Sequence, residues 1–468
     1  MTSHPLAERL ARFAVEQPSR AIPPEVVECA RLHVLDTVGC GLAAVALEEG
    51  AAATAVALEQ GGRSDASLLG EPDRQPAALA AFANGTRCHA LDFDDTHEAG
   101  ICHVSTVVLP AALAVGEKRG VAGAELLDAY GVGCEVALRV AIAVADGLYA
   151  RGFHPTPICG AFGATAAACR LLGSDPAQTA NALGIAGSFA AGLFEYLADG
   201  SATKPLHAGW AAQAGVQAAL LAAVGVTGPA TVLEGRFGLL ASHTDVPANT
   251  ALSMCDGLGE HWELPRVSIK AFPACHFVHS STWAVAELAR EHRLDAQGVI
   301  EIVVRVPAEG VPIVLEPLAR KRRPTTPYDA KFSLPFAVAH QLVHGHLGLS
   351  AFSPAAISDP QVLALSECVR FEPLAEGVPA SRFAGGARLM VRGGSELDAY
   401  LPHAPGSPDN PLGEHRVVSK FQANAELTME AAALEELASA LLGLDTLAGI
   451  DKPMALLRAA ATRAPAAA

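Results

Sequence analysis

Residues 89–97 read His-Ala-Leu-Asp-Phe-Asp-Asp-Thr-His, and His103 follows six positions later. Asp92, Asp94 and Asp95 supply carboxylates here, and His89 and His97 supply imidazoles. Such a cluster can hold a cation, move protons on a substrate, or decorate a solvated helix end. Continued as a helix, the stretch puts His89, Asp92, Phe93 and Thr96 on one face, with Asp94 and Asp95 pointing elsewhere.

A calcium loop fits poorly. Asp92-x-Asp94-x-Thr96 begins one, but the glycine and the closing glutamate it needs are absent. Asp94-Asp95-Thr96-His97-Glu98 matches the D-D-x-x-E magnesium motif of terpene synthases. Those enzymes need an aromatic-lined cavity for carbocations, and only 5% of this chain is aromatic.

Three further groups carry chemistry. His154 precedes a proline-rich bend, and Gly160-x-x-Gly163 leads into an alanine-rich helix whose start offers free N–H groups to a carboxylate or phosphate. Asp199-Gly200 reads as a turn, after which Lys204 stands at the positive end of a helix beginning near Pro205, with His207 in the first turn. Lys270 leads to a bend at Pro273, where Cys275, His276 and His279 crowd a helix entry. No hydrolase elbow surrounds Cys275, which weighs against a covalent nucleophile. No dinucleotide or phosphate-binding glycine loop is present, so the inventory suits cofactor-free proton chemistry beside a carboxylate.

The elements that must position these groups are mostly helical. Apolar residues recur at three-to-four spacing over 24–45, 76–92, 105–118, 122–146, 160–173, 176–195 and 205–224. From about Leu264 the pattern turns strand-like over 267–272, 300–306 and 368–373. Residues 387–402 read as a hairpin around Gly393-Gly394, and helices at 279–292 and 333–345 are interleaved. Helical spacing returns at 414–422, 427–443 and 453–462. The expected fold is mainly α. A discontinuous all-α domain (1–265 plus 405–468) carries an inserted, smaller α+β domain at 266–404.

Composition removes whole classes of function. The chain has 468 residues, 51% of them hydrophobic, with a net charge of −16 and no basic block. That argues against nucleic acid or an anionic membrane as partner. The longest uncharged run, 205–233, is mostly alanine and holds His207, Gln213 and Gln217, so it reads as a buried helix rather than a membrane span. The N-terminus lacks a signal peptide's apolar core. Ten scattered cysteines without a C-x-x-C pair favour a reduced, cytoplasmic setting. The basic run Arg320-Lys321-Arg322-Arg323 reads as a solvated loop, with an anion contact at a pocket mouth as the alternative.

Several blocks, in order, resemble the MmgE/PrpD family. They are LHVLDTVGCGLA (32–43), NGTRCHALDFDDTH (84–97), GFHPTPICGAFGATAAA (152–168), DGSATKPLHAGWAAQAG (199–215), GPATVLEGRFGLL (228–240), IKAFPACHFVH (269–279) and DNPLGEHRVVSKF (409–421). The resemblance implies a helical domain, a mobile α+β lid, a site between them, and a homodimer without metal. It places Asp92, Thr96, His103, His154, Lys204 and Lys270 in the pocket, with Cys275 and His276 contributing to substrate binding. Family activities include dehydration of 2-methylcitrate, epimerisation of iminodisuccinate and decarboxylation of cis-aconitate. Cys275 stands where the decarboxylases carry a histidine. Their pocket tyrosine has no aromatic counterpart between 311 and 327. Both departures count against decarboxylation.

The mechanism expected from this combination begins with a proton beside a carboxylate. Lys204 and Lys270 bind substrate carboxylates and stabilise the charge that develops there. His103 or His154 abstracts the proton, and the other protonates the leaving group or the opposite face. Asp92 orients a histidine and Thr96 donates a hydrogen bond. The expected activity is a hydro-lyase acting on a hydroxylated di- or tricarboxylate such as 2-methylcitrate. Alternatives are an epimerase, a decarboxylase, or a carboxylate-binding protein without catalysis.

Overall fold

A computed structural model describes residues 4–199, 201–247 and 251–460. It is mainly α-helical, as the apolar spacing predicts. The chain divides into two compact units. One is formed by Met1–Ile269 with Gly413–Ala468, the other by Lys270–Leu412.

The first unit contains α1 (Leu6–Glu16), α2 (Pro24–Ala46), α3 (Ala51–Gln60), α4 (Ala77–His89), α5 (Ser105–Arg119) and α6 (Gly123–Ala150). It continues with α7 (Pro155–Leu172), α8 (Pro176–Phe189), α9 (Tyr196–Asp199), α10 (Lys204–Ala223) and α11 (Leu239–His243). Prolines open α2, α7 and α8, where a missing N–H costs nothing. Asp175 caps α8 by accepting from Gln178 N at 2.8 Å.

Helices α4, α5, α6, α7 and α10 pack against one another closely because their facing residues are small. A Cβ on Gly163 of α7 would lie 2.5 Å from the Gly133 carbonyl oxygen of α6 and 2.6 Å from Ala137 Cβ. Alanine and glycine thus trade side-chain bulk for backbone approach. This crossing sets the start of α7, and His154 with it. Helix Glu414–Ala425 packs on α2. Within it Lys420 donates to Phe93 O at 2.7 Å and pairs with Asp36 at 2.7 Å, tying the C-terminal helices to the 89–97 stretch.

Among the described residues, α2 alone is long and apolar enough to cross a membrane, and most of it is buried within the protein. The 205–233 run instead breaks at residue 223, where α10 ends.

The second unit holds a four-stranded sheet in the order Val369–Pro373, Val299–Val306, Gly385–Val391, Glu396–Leu401. The first pair is parallel and the others antiparallel, with Ile302 beside Val369 and Leu389. Helix His279–His292 covers the sheet, and Leu334–His344 packs on that helix, enclosing Ile302, Val304, Phe336 and Leu389.

Two sequence expectations fail here for physical reasons. The strand read at 267–272 shrinks to Val267–Ser268, which pairs with Thr96–His97, because Pro273 follows closely and cannot donate to a ladder. The basic run is solvated at Arg320 and Arg323 but is not a loop. Leu318–Arg322 is a short helix, Lys321 Nζ donates to Ile313 O and Phe332 O at 2.6 and 2.8 Å, and Arg323 pairs with Glu367 at 2.6 Å.

Candidate functional site

Helix α4 does not continue through Asp92. It stops at His89, and Asp92 adopts a left-handed φ of 55°. Aspartate tolerates that region better than most residues, since its short side chain bonds locally. The chain reverses there, so the helical face expected for His89, Asp92, Phe93 and Thr96 does not exist. Asp94 and Asp95, expected to point away or into solvent, turn inward and are fully buried.

Asp94 becomes the centre. Its Oδ2 accepts from His89 Nδ1 at 2.7 Å and lies 3.1 Å from His103 Nδ1. Burial alone would raise its pKa, but the two imidazoles outweigh this and hold it well below the usual carboxylate range. His103 Nδ1 also lies 2.8 Å from Asp95 O and 3.2 Å from Thr96 Oγ1. Surrounded by acceptors, Nδ1 carries the proton, and Nε2 is left to exchange protons with a ligand. The His103 backbone N–H donates to Thr156 Oγ1 at 3.0 Å, fixing the loop against α7.

Asp95 works behind this layer. It accepts from His33 Nδ1 at 2.7 Å and from the Ser105 hydroxyl, which also contacts Tyr130. Burial opposes charge on His33, but Cys29 and the bonded Asp95 raise its pKa to about 10. These partners therefore favour a proton on His33 deep in the unit.

Lys204, the first residue of α10, donates to Asp92 Oδ1 at 2.7 Å, and both side chains are largely buried. The lysine is thus neither solvated nor simply an anion hook at a helix end. His154 precedes α7, but its side chain makes no capping bond. Its ring instead stacks on His89 at 6.0 Å, and its Nδ1 lies 3.1 Å from His207 Nδ1. Burial, then His89 and Lys204, push His154 well below the ordinary imidazole pKa. His207 is lowered to about 4 by the same causes, and His89 to about 4 mainly by burial. Burial thus favours the neutral form of all three imidazoles. Phe194 and Tyr196 flank the His154 ring, and a cavity of about 660 Å³ beside His207 is lined by Phe82, Leu193, Tyr196, Leu206 and Trp210.

His89, Asp94 and His103 each offer a donor atom within 4.8 Å, a spacing at which a cation can bind. The contacts of 2.7 and 3.1 Å fit hydrogen bonds instead, with both Nδ1 protons directed at one oxygen. Oδ2 of the carboxylate is satisfied by these two contacts, while the buried Oδ1 has no hydrogen-bond partner.

Three expected site residues belong to the second unit. Lys270 is buried, Cys275 is half-buried with its N–H donating to Lys331 O at 2.9 Å, and His276 stacks on Phe383 at 4.2 Å. The first unit gathers Asp92, Thr96, His103, His154 and Lys204. The sequence reading missed His89, Asp94 and His207 as members. A run of Asp-Phe-Asp-Asp is a poor helix interior, and that breaker signal argued for ending α4 before Asp92.

A mainly helical protein with imidazoles clustered on one ionised carboxylate, beside a lysine, is equipped to move protons. The sequence matches the MmgE/PrpD N-terminal domain over residues 8–250 and the MmgE/PrpD C-terminal domain over 272–444. The chain belongs to the MmgE/PrpD family. It is 29% identical to human cis-aconitate decarboxylase over 90% of this chain and 88% of that one. A cis-aconitate decarboxylase-like protein of Aspergillus oryzae is 28% identical over 96% of both chains, and the cis-aconitate decarboxylase of Aspergillus terreus is 25% identical over 93% and 92%.

Proposed function

We propose that this protein is a lyase that decarboxylates an unsaturated tricarboxylate of the cis-aconitate type. The hydro-lyase expected first from sequence becomes the second reading. The similarity to decarboxylases along nearly the whole chain favours the first. One structural observation carries the chemistry: His103 has its Nδ1 held by acceptors, so Nε2 is the atom that can exchange a proton.

In such a substrate one carboxylate sits on a CH2 next to a carbon–carbon double bond. When its C–C bond breaks, CO2 leaves and the electron pair forms a new double bond with the neighbouring carbon. The old π pair moves to the carbon bearing another carboxylate, which then takes up a proton. One CO2 departs and one proton enters. Negative charge develops on the carboxylate beside the protonated carbon, and the Lys204 ammonium stabilises it there. His103 Nε2 is the atom that passes the proton from solvent to this carbon, with Nδ1–H held throughout. Asp92 holds Lys204 in place before the substrate arrives. Neutral His154 hydrogen-bonds a carboxylate without adding charge.

In dehydration of a hydroxylated acid such as 2-methylcitrate, His103 Nε2 takes the proton beside the carboxylate, the C–H electron pair forms the new double bond, and the C–O bond on the neighbouring carbon breaks, the hydroxyl leaving as water with a proton from His103 or solvent. Cys275 and the lack of an aromatic residue at 311–327 favour it. The test is incubation with cis-aconitate and, separately, 2-methylcitrate, followed by CO2 measurement and product identification. CO2 release in step with cis-aconitate loss supports the proposal. Water loss from 2-methylcitrate without CO2 establishes the second reading.

A further inference from the structure

We propose that Asp94 and His89, which have no part in the scheme above, are positioning residues that set the tautomer of His103. The inference rests on reading His103 as the proton carrier, and it deepens that reading. Asp94 Oδ2 is 2.7 Å from His89 Nδ1 and 3.1 Å from His103 Nδ1, so one oxygen serves two imidazoles. An ionised carboxylate cannot donate, so each facing nitrogen must carry the proton. His103 is thereby locked with Nδ1–H and a basic Nε2. The backbone oxygen of Asp95, 2.8 Å away, reinforces the same tautomer.

His89 has the complementary task. It is 1% exposed, and Nε2 is a buried nitrogen without a hydrogen-bond partner. Leaving such a nitrogen unpaired costs stability. What the side chain provides is its other nitrogen, whose proton keeps Asp94 ionised without adding a charge. A neutral donor is what this place requires, because an ammonium here would pair with Asp94 and weaken its hold on His103. Its position as the last residue of α4 fixes its direction rigidly. Histidine oriented by a carboxylate whose own geometry is fixed by another donor is a general way of holding a reactive imidazole.

The test combines substitutions with 15N NMR of the His103 ring in the substrate-free protein. In the native protein the ring should show the Nδ1–H tautomer. Asp94→Asn presents an amide N–H that favours the opposite tautomer. It should move His103 toward Nε2–H and lower kcat by roughly 100-fold or more, with KM nearly unchanged. His89→Asn places an amide N–H close to the former Nδ1 and should keep kcat within about tenfold. His89→Leu removes the donor and should lose as much as Asp94→Asn. Retention of the Nδ1–H tautomer and of kcat in folded Asp94→Asn overturns the inference, as does a His89→Asn protein that is folded yet no better than His89→Leu. The NMR arm needs no substrate, so it decides the inference even if cis-aconitate is not turned over. Normal turnover in every variant would leave the proposed function standing and remove this refinement.

Discussion

Lys204 Nζ lies 2.7 Å from Asp92 Oδ1, joining the first residue of α10 to the left-handed residue where the chain reverses after α4. The pair couples two segments more than a hundred residues apart, and it leaves a buried cation at the imidazole cluster. Lys204→Met should keep the fold and raise KM for a polycarboxylate by about 30-fold or more, as loss of a desolvated charge partner does. Asp92→Asn, which preserves the left-handed preference, should lower turnover with little change in Tm. Steady-state kinetics beside thermal melts checks both. Unchanged KM in Lys204→Met would remove the lysine from substrate binding.

A second ion pair acts on stability rather than chemistry. His33 and Asp95 meet at 2.7 Å, 1% and 0% exposed. Replacing His33 with Leu leaves the buried Asp95 carboxyl without its imidazole partner and held by Ser105 alone, and should cost about 3–5 kcal/mol in urea unfolding. A loss below ~1 kcal/mol would contradict the assignment of a buried imidazolium there.

These histidines also give opposite pH signatures. His89 and His207 are lowered from 6.5 to about 4, so the unfolded chain binds more protons than the folded one between those values. Stability should therefore fall as pH drops from about 6.5 to about 4. His33, raised to about 10, binds its proton preferentially in the fold. Its contribution is complete below 6.5 and is lost as pH rises through about 10. Melting temperatures across this range check both limbs, and His33→Leu should flatten the alkaline one alone.

The helical pattern was legible because alanine-rich helices keep their apolar spacing even without bulky residues. The helices at 279–292 and 24–45 were read almost to the residue. The failures share a cause. Periodicity says nothing about where a helix is interrupted by a backbone reversal, so running the helix through Asp92 sent Asp94 and Asp95 to the wrong side. His154 and Lys204 were found because prolines mark their helix starts. His207 lies in the same turn as Lys204, but local spacing does not mark it, since its partner His154 lies 53 residues away. Such pairings depend on helix packing, which local spacing does not encode.

That packing has its own test. Gly163 meets Gly133 across the α6–α7 crossing with no space for a methyl group. Gly163→Ala should destabilise the protein by about 1–3 kcal/mol through overpacking, and should lower activity because α7 carries His154. Denaturant melts resolve the first effect. A stabilised Gly163→Ala protein would contradict the tight crossing.

The most direct measurement is turnover of cis-aconitate in D2O with the product examined by NMR and released CO2 counted, for the native protein and for His103→Asn. The account requires one CO2 per product molecule, with one deuterium bound to the carbon beside a carboxylate, and a His103→Asn protein that is folded but nearly inactive. Product free of deuterium, or a His103→Asn protein with native turnover, would contradict proton delivery by His103.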